Sequence, residues 1–529
     1  MTQQEALEQL AALHGIATEY YDIWGNIRHT SEATQRALLG AMGVQLDGDL
    51  DTLLDEHEAR PWRSLLPPVL VVPATEEALA VPVTFPSAQA GATYRWILSR
   101  EEGGREEGKF QPYKLEIIGS KPIDGSIYQR GLLRLRCPAP GYHQLTICKP
   151  DSEEISMTLI TVPVTSYQPA VLAEGGRIYG PALQLYGIRS QRNWGIGDFT
   201  DLRLMVELAG ESGMGIIGLN PLHTLFPGNP AHISPYSPSS RLFLNIMYLD
   251  VEAVADFAEC EDARATVADE AFQARLRALR SEELVDYPQI TAAKLALLTQ
   301  LYQYFRKQHL QADSERARQF RVFQAEGGEA LQRHALFEAL QAHFQAEDAS
   351  IWGWPVWPEA YRNPGSPMVT AFAQNHVEEL EYYEYLQWLA NQQLDAAGKA
   401  SLTFGLGVGL YGDLAVSVDR GGAEAWANQD IYALGASVGA PPDDFNLNGQ
   451  DWGLPPWIPE RLQMTAYAPF IATLRANMRH MGALRIDHVM GLMRLFWIPH
   501  DNGGGAAAGA YVSYPFDDLL GILMLESQR

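Results

Sequence analysis

The sequence predicts an α/β fold: parallel βα units of the kind that close into a (β/α)8 barrel, incomplete in this chain, with helical insertions and preceded by a small helical segment and an all-β sandwich. Three observations carry that expectation. Short β-rich runs separated by Gly and Pro fill residues 61–164, strand-like and helix-like periodicities alternate from about residue 165, and the run Gly215-Ile216-Ile217-Gly218-Leu219-Asn220 is apolar on both faces, as a strand covered by helices must be. The expected division is a helical segment over 1–60, a sandwich over 61–164 and a (β/α) region over 165–529 with a helical insertion at about 251–385.

Taken in order, Thr2 and Glu5 have capping-box spacing, with Leu7, Leu10 and Leu13 as one apolar helical face. A second helix is expected over Ser31 to Met42, stopped near Gly43. From Pro61 the texture changes to strands at Val69–Val72, Leu79–Phe85, Thr93–Leu98, Gly131–Cys137, Tyr142–Cys148 and Ile155–Val162, read as an antiparallel sandwich. Thr165 to Glu174 reads as a linker. Beyond it come a strand at Ala182–Tyr186, a helix over Asp198–Gly210 and the Gly215–Asn220 strand. A long helical region between Val251 and Glu347 carries the stripe Leu295, Leu298, Tyr302, Phe305, a core pattern. A helix through Leu386–Gln392, a glycine-interrupted strand over Leu402–Leu410, a helix over Ala468–Met481, a strand at Gly482–His488 and a helix over Phe516–Glu526 complete the order. Four barrel-type strands are therefore expected where a closed barrel needs eight, and the chain is expected to be a truncated part of a longer protein.

Composition narrows the function. A length of 529 residues, 47% apolar and 19% charged, fits a globular protein with a large core, and no long uninterrupted apolar run suggests a membrane span. The polar start Met1-Thr2-Gln3-Gln4-Glu5 lacks the features of a secretory signal, so a cytoplasmic location is expected. Cys137, Cys148 and Cys260 are odd in number and not closely paired, which indicates neither disulfides nor a zinc site; buried free thiols and no metal are expected. A formal net charge of −25 repels a phosphate backbone and argues against nucleic acid. The 12 Trp and 23 Tyr suit stacking on sugar faces, or simply the filling of a core.

The stretch richest in chemistry is Gly482-Ala483-Leu484-Arg485-Ile486-Asp487-His488. As a strand its period of two puts Arg485 and Asp487 on one face, a cation beside a carboxylate. That pairing favours ionised Asp487 held in one orientation, as a nucleophile requires. Loops at the other strand ends contribute Leu185–Ser190 leading to Asn193–Asp198, Ser234–Arg241, Gly412-Asp413-Leu414, and Gly439–Asp443 running on to Gly449–Pro455. Trp452 and Tyr236 can stack on pyranose faces, and Gln450, Asp443 and Ser234 can hydrogen-bond hydroxyls; each also suits turn stabilisation or packing. Asp413 either positions a sugar or holds Arg485 and Asp487, and His488 is either a hydroxyl donor to substrate or a satisfied structural histidine.

These motifs resemble the 4-alpha-glucanotransferases (amylomaltase, or disproportionating enzyme) of the alpha-amylase clan, in their long bacterial form with an N-terminal extension. The resemblance runs through the whole chain. It is strongest in Asn193–Asp198, Ser234–Asp250, Ser437–Pro456, Gly482–Met490 and the Gly509-Ala510-Tyr511-Val512 stretch with Tyr514-Pro515. It implies a catalytic (β/α) barrel over 165–529, Asp487 as nucleophile with Arg485 as its charge partner, Asp413 as the structural acid, and Tyr236, Gln450, Trp452 and His488 along the donor subsites. It also implies retaining transfer of α-1,4-glucan segments between maltodextrins, with glucose as an acceptor, and neither metal nor organic cofactor. The family's acid/base Glu lies in a Gly-Glu-Asp-Leu-Gly motif and a third Asp follows a Thr-His-Asp pattern; neither occurs in the 529 residues, so this chain is expected to show little turnover. The alternatives are a non-enzymatic glucan-binding or scaffold protein and a hydrolytic alpha-amylase relative.

Overall fold

The computed structural model describes residues 2–74, 78–150, 153–500 and 505–529. They form two compact units that do not follow chain order. One is built from the chain up to Tyr167 with Asp430–Leu474 and Val489–Arg529, the other from Gln168–Gln429 with Arg475–His488.

In the first unit the helix Gln3–Leu13 starts on the expected capping box, with Glu5 N–H donating to Thr2 Oγ1 at 3.2 Å and Thr2 N–H donating back to the Glu5 carboxylate at 2.9 Å. Leu7 and Leu10 are buried, but Leu13, on the final turn, is half exposed, so the apolar face is shorter than its spacing suggests. The helix Glu32–Ala41 begins on the Ser31 cap. A third helix, Leu50–Arg63, was not expected: it starts on an Asp49 cap and carries Pro61 inside, so the change of texture at Pro61 falls within a helix. Between the first two helices lies a small antiparallel hairpin, Glu19–Tyr21 with Ile27–His29.

All six expected sandwich strands are present. A five-stranded sheet runs in the order Val69–Pro73, Glu154–Val162, Gly141–Cys148, Tyr94–Ser99, Arg105–Phe110, and a three-stranded one in the order Ala78–Pro86, Ser126–Arg136, Glu116–Ile123. Val81, Val83 and Phe85 of the smaller sheet and Leu98, Leu145 and Leu159 of the larger share one core. The sandwich is not wholly antiparallel, because Val69–Pro73 pairs parallel with Glu154–Val162. Arg105–Phe110 and Glu116–Ile123 are edge strands with largely exposed, charged sequences, so they lack the apolar alternation that marks the others. Cys137 is partly exposed, whereas Cys148 and Cys260 are buried; all three are free thiols.

The same unit holds a second antiparallel sheet, ordered Gln450–Leu454, Ala436–Ala440, Arg494–Pro499, Ala510–Ser513. This corrects the placement of the Gly439–Pro455 motif: it is not a loop at the end of a parallel strand. Its two flanks pair with each other, Ala440 opposite Gln450 and Gly439 opposite Asp451.

The second unit contains the expected parallel sheet, in the order Ala182–Leu183, Ile216–Leu219, Gly409–Leu414, Ala483–Ile486. The third strand lies later than its alternating sequence suggests. Leu402 and Thr403 finish the long helix Val377–Thr403, and the strand begins only at Gly409, whose φ of +88° suits glycine. Gly482 permits the close approach of the fourth strand, since a Cβ there would fall 1.6 Å from the Val408 carbonyl oxygen. The helix Phe199–Glu211 starts on a capping box between Asp198 and Asp201. The helical insertion buries Leu298, Tyr302 and Phe305 as expected, with Leu295 only partly covered. Among the described residues no helix is long and apolar enough to cross a membrane.

Candidate active site

Asp413 and Arg485 are register partners on adjacent parallel strands, at the C-terminal ends of both. Directly opposed residues of a ladder project from the same face, so this register alone sets cation beside carboxylate. Arg485 Nη1 donates to Asp413 Oδ2, and Arg485 Nη2 donates to Asp487 Oδ1 at 2.9 Å. Asp487 lies just past the strand, its N–H donating to the Leu414 carbonyl at 3.0 Å, which continues the ladder and keeps its side chain on the face of Arg485. The guanidinium thus bridges two carboxylates.

The third member is Tyr236, whose hydroxyl donates to Asp413 Oδ2 at 2.8 Å. It is carried by the turn Ser234-Pro235-Tyr236-Ser237, closed by a Ser237 N–H to Ser234 carbonyl bond of 3.2 Å. Ser234 itself is exposed at the head of this turn. The turn is fixed further by Ser237 Oγ, which donates to Asp419 at 3.1 Å.

The three charged groups differ in environment. Asp413 is buried, which raises its pKa; the Tyr236 hydrogen bond and Arg485 act against the rise, and the Asp487 charge adds to it. Its Oδ1 is buried with no hydrogen-bond partner among the described residues. Burial also acts against the charge of Arg485, but Asp413, Tyr236 and Asp487 outweigh it and hold the guanidinium firmly protonated. Arg485 and Asp487 remain partly exposed, at 46% and 30% of their side chains, so a ligand can reach both. The Tyr236 phenol is raised by burial and by Asp413. His488 is lowered by burial against the pull of Asp487, which leaves a neutral imidazole at pH 7. Its φ of +46° puts a side-chain-bearing residue in the left-handed region immediately after Asp487.

Five expected residues therefore meet in one unit: Asp413, Arg485, Asp487 and Tyr236 in direct contact, with His488 adjoining in sequence. Asp443, Gln450 and Trp452 belong to the other unit. Gln450 and Trp452 sit on the strand Gln450–Leu454, with Trp452 Nε1 donating to Gln450 Oε1 at 3.2 Å. One oxygen of Asp443 accepts the N–H groups of Phe445 and Asn446, at 2.9 and 2.6 Å, and so builds the turn.

The Asn193–Asp198 motif is bracing. Asn193 is fully buried and donates through Nδ2 to Asp201 at 2.7 Å, and Trp194 Nε1 donates to Glu252 at 3.0 Å. Two supports of the site were missed. Glu424 accepts from Arg241 Nη2 at 3.0 Å and from its backbone N–H at 2.7 Å, and Arg241 Nη1 donates to the Val416 carbonyl at 3.1 Å, tying the strand Ser240–Leu244 to the segment that follows Asp413. His223 Nε2 accepts the Ala415 N–H at 3.2 Å; burial pushes its pKa down to about 3, so it is a neutral acceptor. A lone Glu inside Ala423-Glu424-Ala425-Trp426 was the available signal for the first.

The sheet order, the carboxylates at its C-terminal edge and the preceding sandwich define an alpha/beta protein of the alpha-amylase clan. Residues 183–529 match the family model described as 4-alpha-glucanotransferase, and residues 65–163 match the MalQ N-terminal beta sandwich domain. The chain belongs to the 4-alpha-glucanotransferase family, enzymes that transfer α-1,4-glucan segments. It is 36% identical to a 4-alpha-glucanotransferase of Haemophilus influenzae, over 100% of this chain and 71% of that protein. To one of Mycobacterium tuberculosis it is 35% identical, over 99% and 70%. The crystal structure of amylomaltase from Corynebacterium glutamicum matches with a TM-score of 0.83 at 30% identity, covering 99% of this chain and 70% of that one. An amylomaltase from Streptococcus agalactiae in complex with acarbose, 20% identical with a TM-score of 0.55 over 66% of each chain, shares the fold.

Proposed function

We propose that the full-length protein disproportionates maltodextrins, with Asp487 as the nucleophile. The observation that carries this is the guanidinium of Arg485 bridging Asp413 and Asp487 across the ends of two parallel strands. With Oδ1 of Asp487 held by Arg485, Oδ2 attacks the anomeric carbon, the glycosidic C–O bond breaks, and a glycosyl-aspartate forms. Asp413, anchored by Tyr236 and Arg485, keeps the guanidinium in place, and its unpartnered Oδ1 is an acceptor for a sugar hydroxyl. The leaving oxygen takes its proton from a glutamic acid of the Gly-Glu-Asp-Leu-Gly motif, which does not occur in the 529 residues. A sugar 4-hydroxyl then attacks the intermediate in place of water.

In this reading Ser234, Tyr236, Asp443, Gln450, Trp452 and His488 contact the glucan, glucose serves as an acceptor, and no metal or organic cofactor takes part. The protein is cytoplasmic and has no nucleic-acid or membrane partner. Its domains are the helical segment 1–60, the sandwich 61–164 and the catalytic region 165–529 with its insertion at about 251–385. The test is incubation of the full-length protein with maltotriose. Glucose plus maltodextrins longer than the substrate is the expected result, and a mixture dominated by hydrolysis products overturns the transferase reading.

A further inference from the structure

In the first unit the hairpin Glu19–Tyr21 with Ile27–His29 is held at both ends. The ring of Tyr20 packs edge-on against Phe496 and Tyr511 of the second antiparallel sheet, at centroid distances of 5.7 and 5.5 Å. The tip is organised by Asp22, whose Oδ1 accepts the N–H groups of Trp24 and Asn26 at 3.0 and 2.8 Å and whose Oδ2 accepts Arg28 Nε at 2.9 Å. From this tip the indole Nε1–H of Trp24 donates to Asp444 Oδ1 at 2.9 Å. Asp444 lies on the Pro441–Gly449 loop that runs directly into Gln450. The return of that loop is fixed as well, since Gly449 has φ +71° and a Cβ there would stand 2.7 Å from both the Ala440 carbonyl oxygen and Ala506.

What these two joined segments expose is apolar. Trp24 is 46% exposed, although its N–H is satisfied and its orientation set, and Phe445, next to Asp444, is 100% exposed. Tyr21, Ile23 and Leu447 are exposed beside them in sequence. Scattered apolar side chains on a surface are ordinary, but fixed aromatics on two segments tied by a hydrogen bond ask for an occupant. A pyranose ring offers C–H faces to an aromatic ring and hydroxyls to a carboxylate such as Asp444. It is also uncharged, so a chain of net charge −25 does not repel it.

We propose that the tip of the N-terminal hairpin and the loop it anchors form an outer α-glucan subsite, in which the rings of Trp24 and Phe445 stack on sugar residues of a chain bound along Gln450 and Trp452. The inference rests on the reading that Gln450 and Trp452 contact the donor glucan. It assigns the hairpin a role in selecting long substrates.

The test is binding of maltoheptaose to the full-length protein by isothermal titration calorimetry. Trp24→Ala and Phe445→Ala are each expected to raise Kd about three- to tenfold, the worth of one aromatic contact. Trp24→Phe, which keeps a ring and loses the N–H, should retain most of the affinity. Phe445 is wholly exposed, so its removal leaves packing intact and keeps the test open even if a Trp24 variant folds poorly. Unchanged affinity in Trp24→Ala and Phe445→Ala overturns the proposal, as does Trp24→Phe binding as weakly as Trp24→Ala, which would reduce the tryptophan to an anchor. Trp452→Ala measured alongside separates the two readings: if it weakens binding while the Trp24 and Phe445 variants do not, only the outer subsite fails, and if it too has no effect, the donor-site reading of the strand fails with it.

Discussion

Two arginine–carboxylate assemblies in the Gln168–Gln429 unit use the same groups to different ends. Arg241 and Glu424 are buried to 2% and 4% side-chain exposure, and the Glu424 oxygens receive Ser240 Oγ, the Arg241 backbone and the Arg241 guanidinium. Arg485 is 46% exposed, joins two carboxylates, and faces an Asp413 whose second oxygen has no partner among the described residues. A structural pair turns its hydrogen-bonding capacity inward, because a buried charge with unmet capacity is destabilising. A site that must hold a ligand leaves part of that capacity for the ligand.

The contrast breaks most sharply at Asp487. Asp487→Asn preserves shape and the Arg485 contact but removes the attacking charge, so transfer from maltotriose by the full-length protein should fall by roughly 10⁴-fold or more, with unfolding unchanged. Retained turnover would refute its role. The next two variants test the contrast as a pair. Glu424→Ala strands the buried Arg241 charge and should destabilise the fold by about 3–5 kcal/mol in denaturant unfolding. Arg485→Lys should leave stability within about 0.5 kcal/mol and lower kcat on the order of 10²-fold, since an ammonium cannot bridge two carboxylates as the planar guanidinium does. Equal effects of the two variants on stability would erase the distinction.

The smallest effect concerns charges buried without any partner ion. Glu338 and His334 stand one turn apart on the helix Glu315–Glu347, both buried. Burial pushes Glu338 from 4.5 up to about 8 and His334 from 6.5 down to about 3. Between 4.5 and about 8 the folded state keeps the Glu338 proton that the unfolded state has released, so this contribution is full below 4.5 and is lost as pH rises toward 8. His334 acts in reverse: the unfolded state binds its proton first, so stability is lost as pH falls from 6.5 toward about 3. The stability difference between wild type and Glu338→Gln should therefore decline with rising pH, at most by roughly 1.4 kcal/mol per pH unit. Denaturant unfolding over a pH series reads this directly, and a flat difference would show that Glu338 does not titrate in the interior.

Much of this was legible before the structure. Local chemistry announced itself at Thr2, Ser31 and Asp198, where short polar side chains cap helices, and at the alternating Leu133-Arg134-Leu135-Arg136 of the sandwich. The Leu402–Leu410 expectation failed because alternation in Leu-Thr-Phe-Gly-Leu-Gly-Val-Gly reads as a strand, while the packed helix Val377–Thr403 carries its register two residues into it. Leu50–Arg63 was hidden by its proline and by a polar composition that yields a helix only when Leu50, Leu54 and Ala59 find a core.

By itself the sequence determined that Arg485 and Asp487 share a face, because a period of two is a property of the strand alone. Only the tertiary structure decided what stands opposite them. Asp413 lies 72 residues from Arg485 and Tyr236 lies 249 away, and no local pattern encodes a register between strands so far apart. That register comes from packing: Gly482 admits the neighbouring backbone, the Leu410 and Leu414 carbonyls receive the strand's N–H groups, and the guanidinium then falls between its two carboxylates. The same holds for Asp443, Gln450 and Trp452, whose residue types point to sugar contacts but whose place, in an antiparallel sheet of the other unit, follows from the pairing of Ala436–Ala440 with strands on either side.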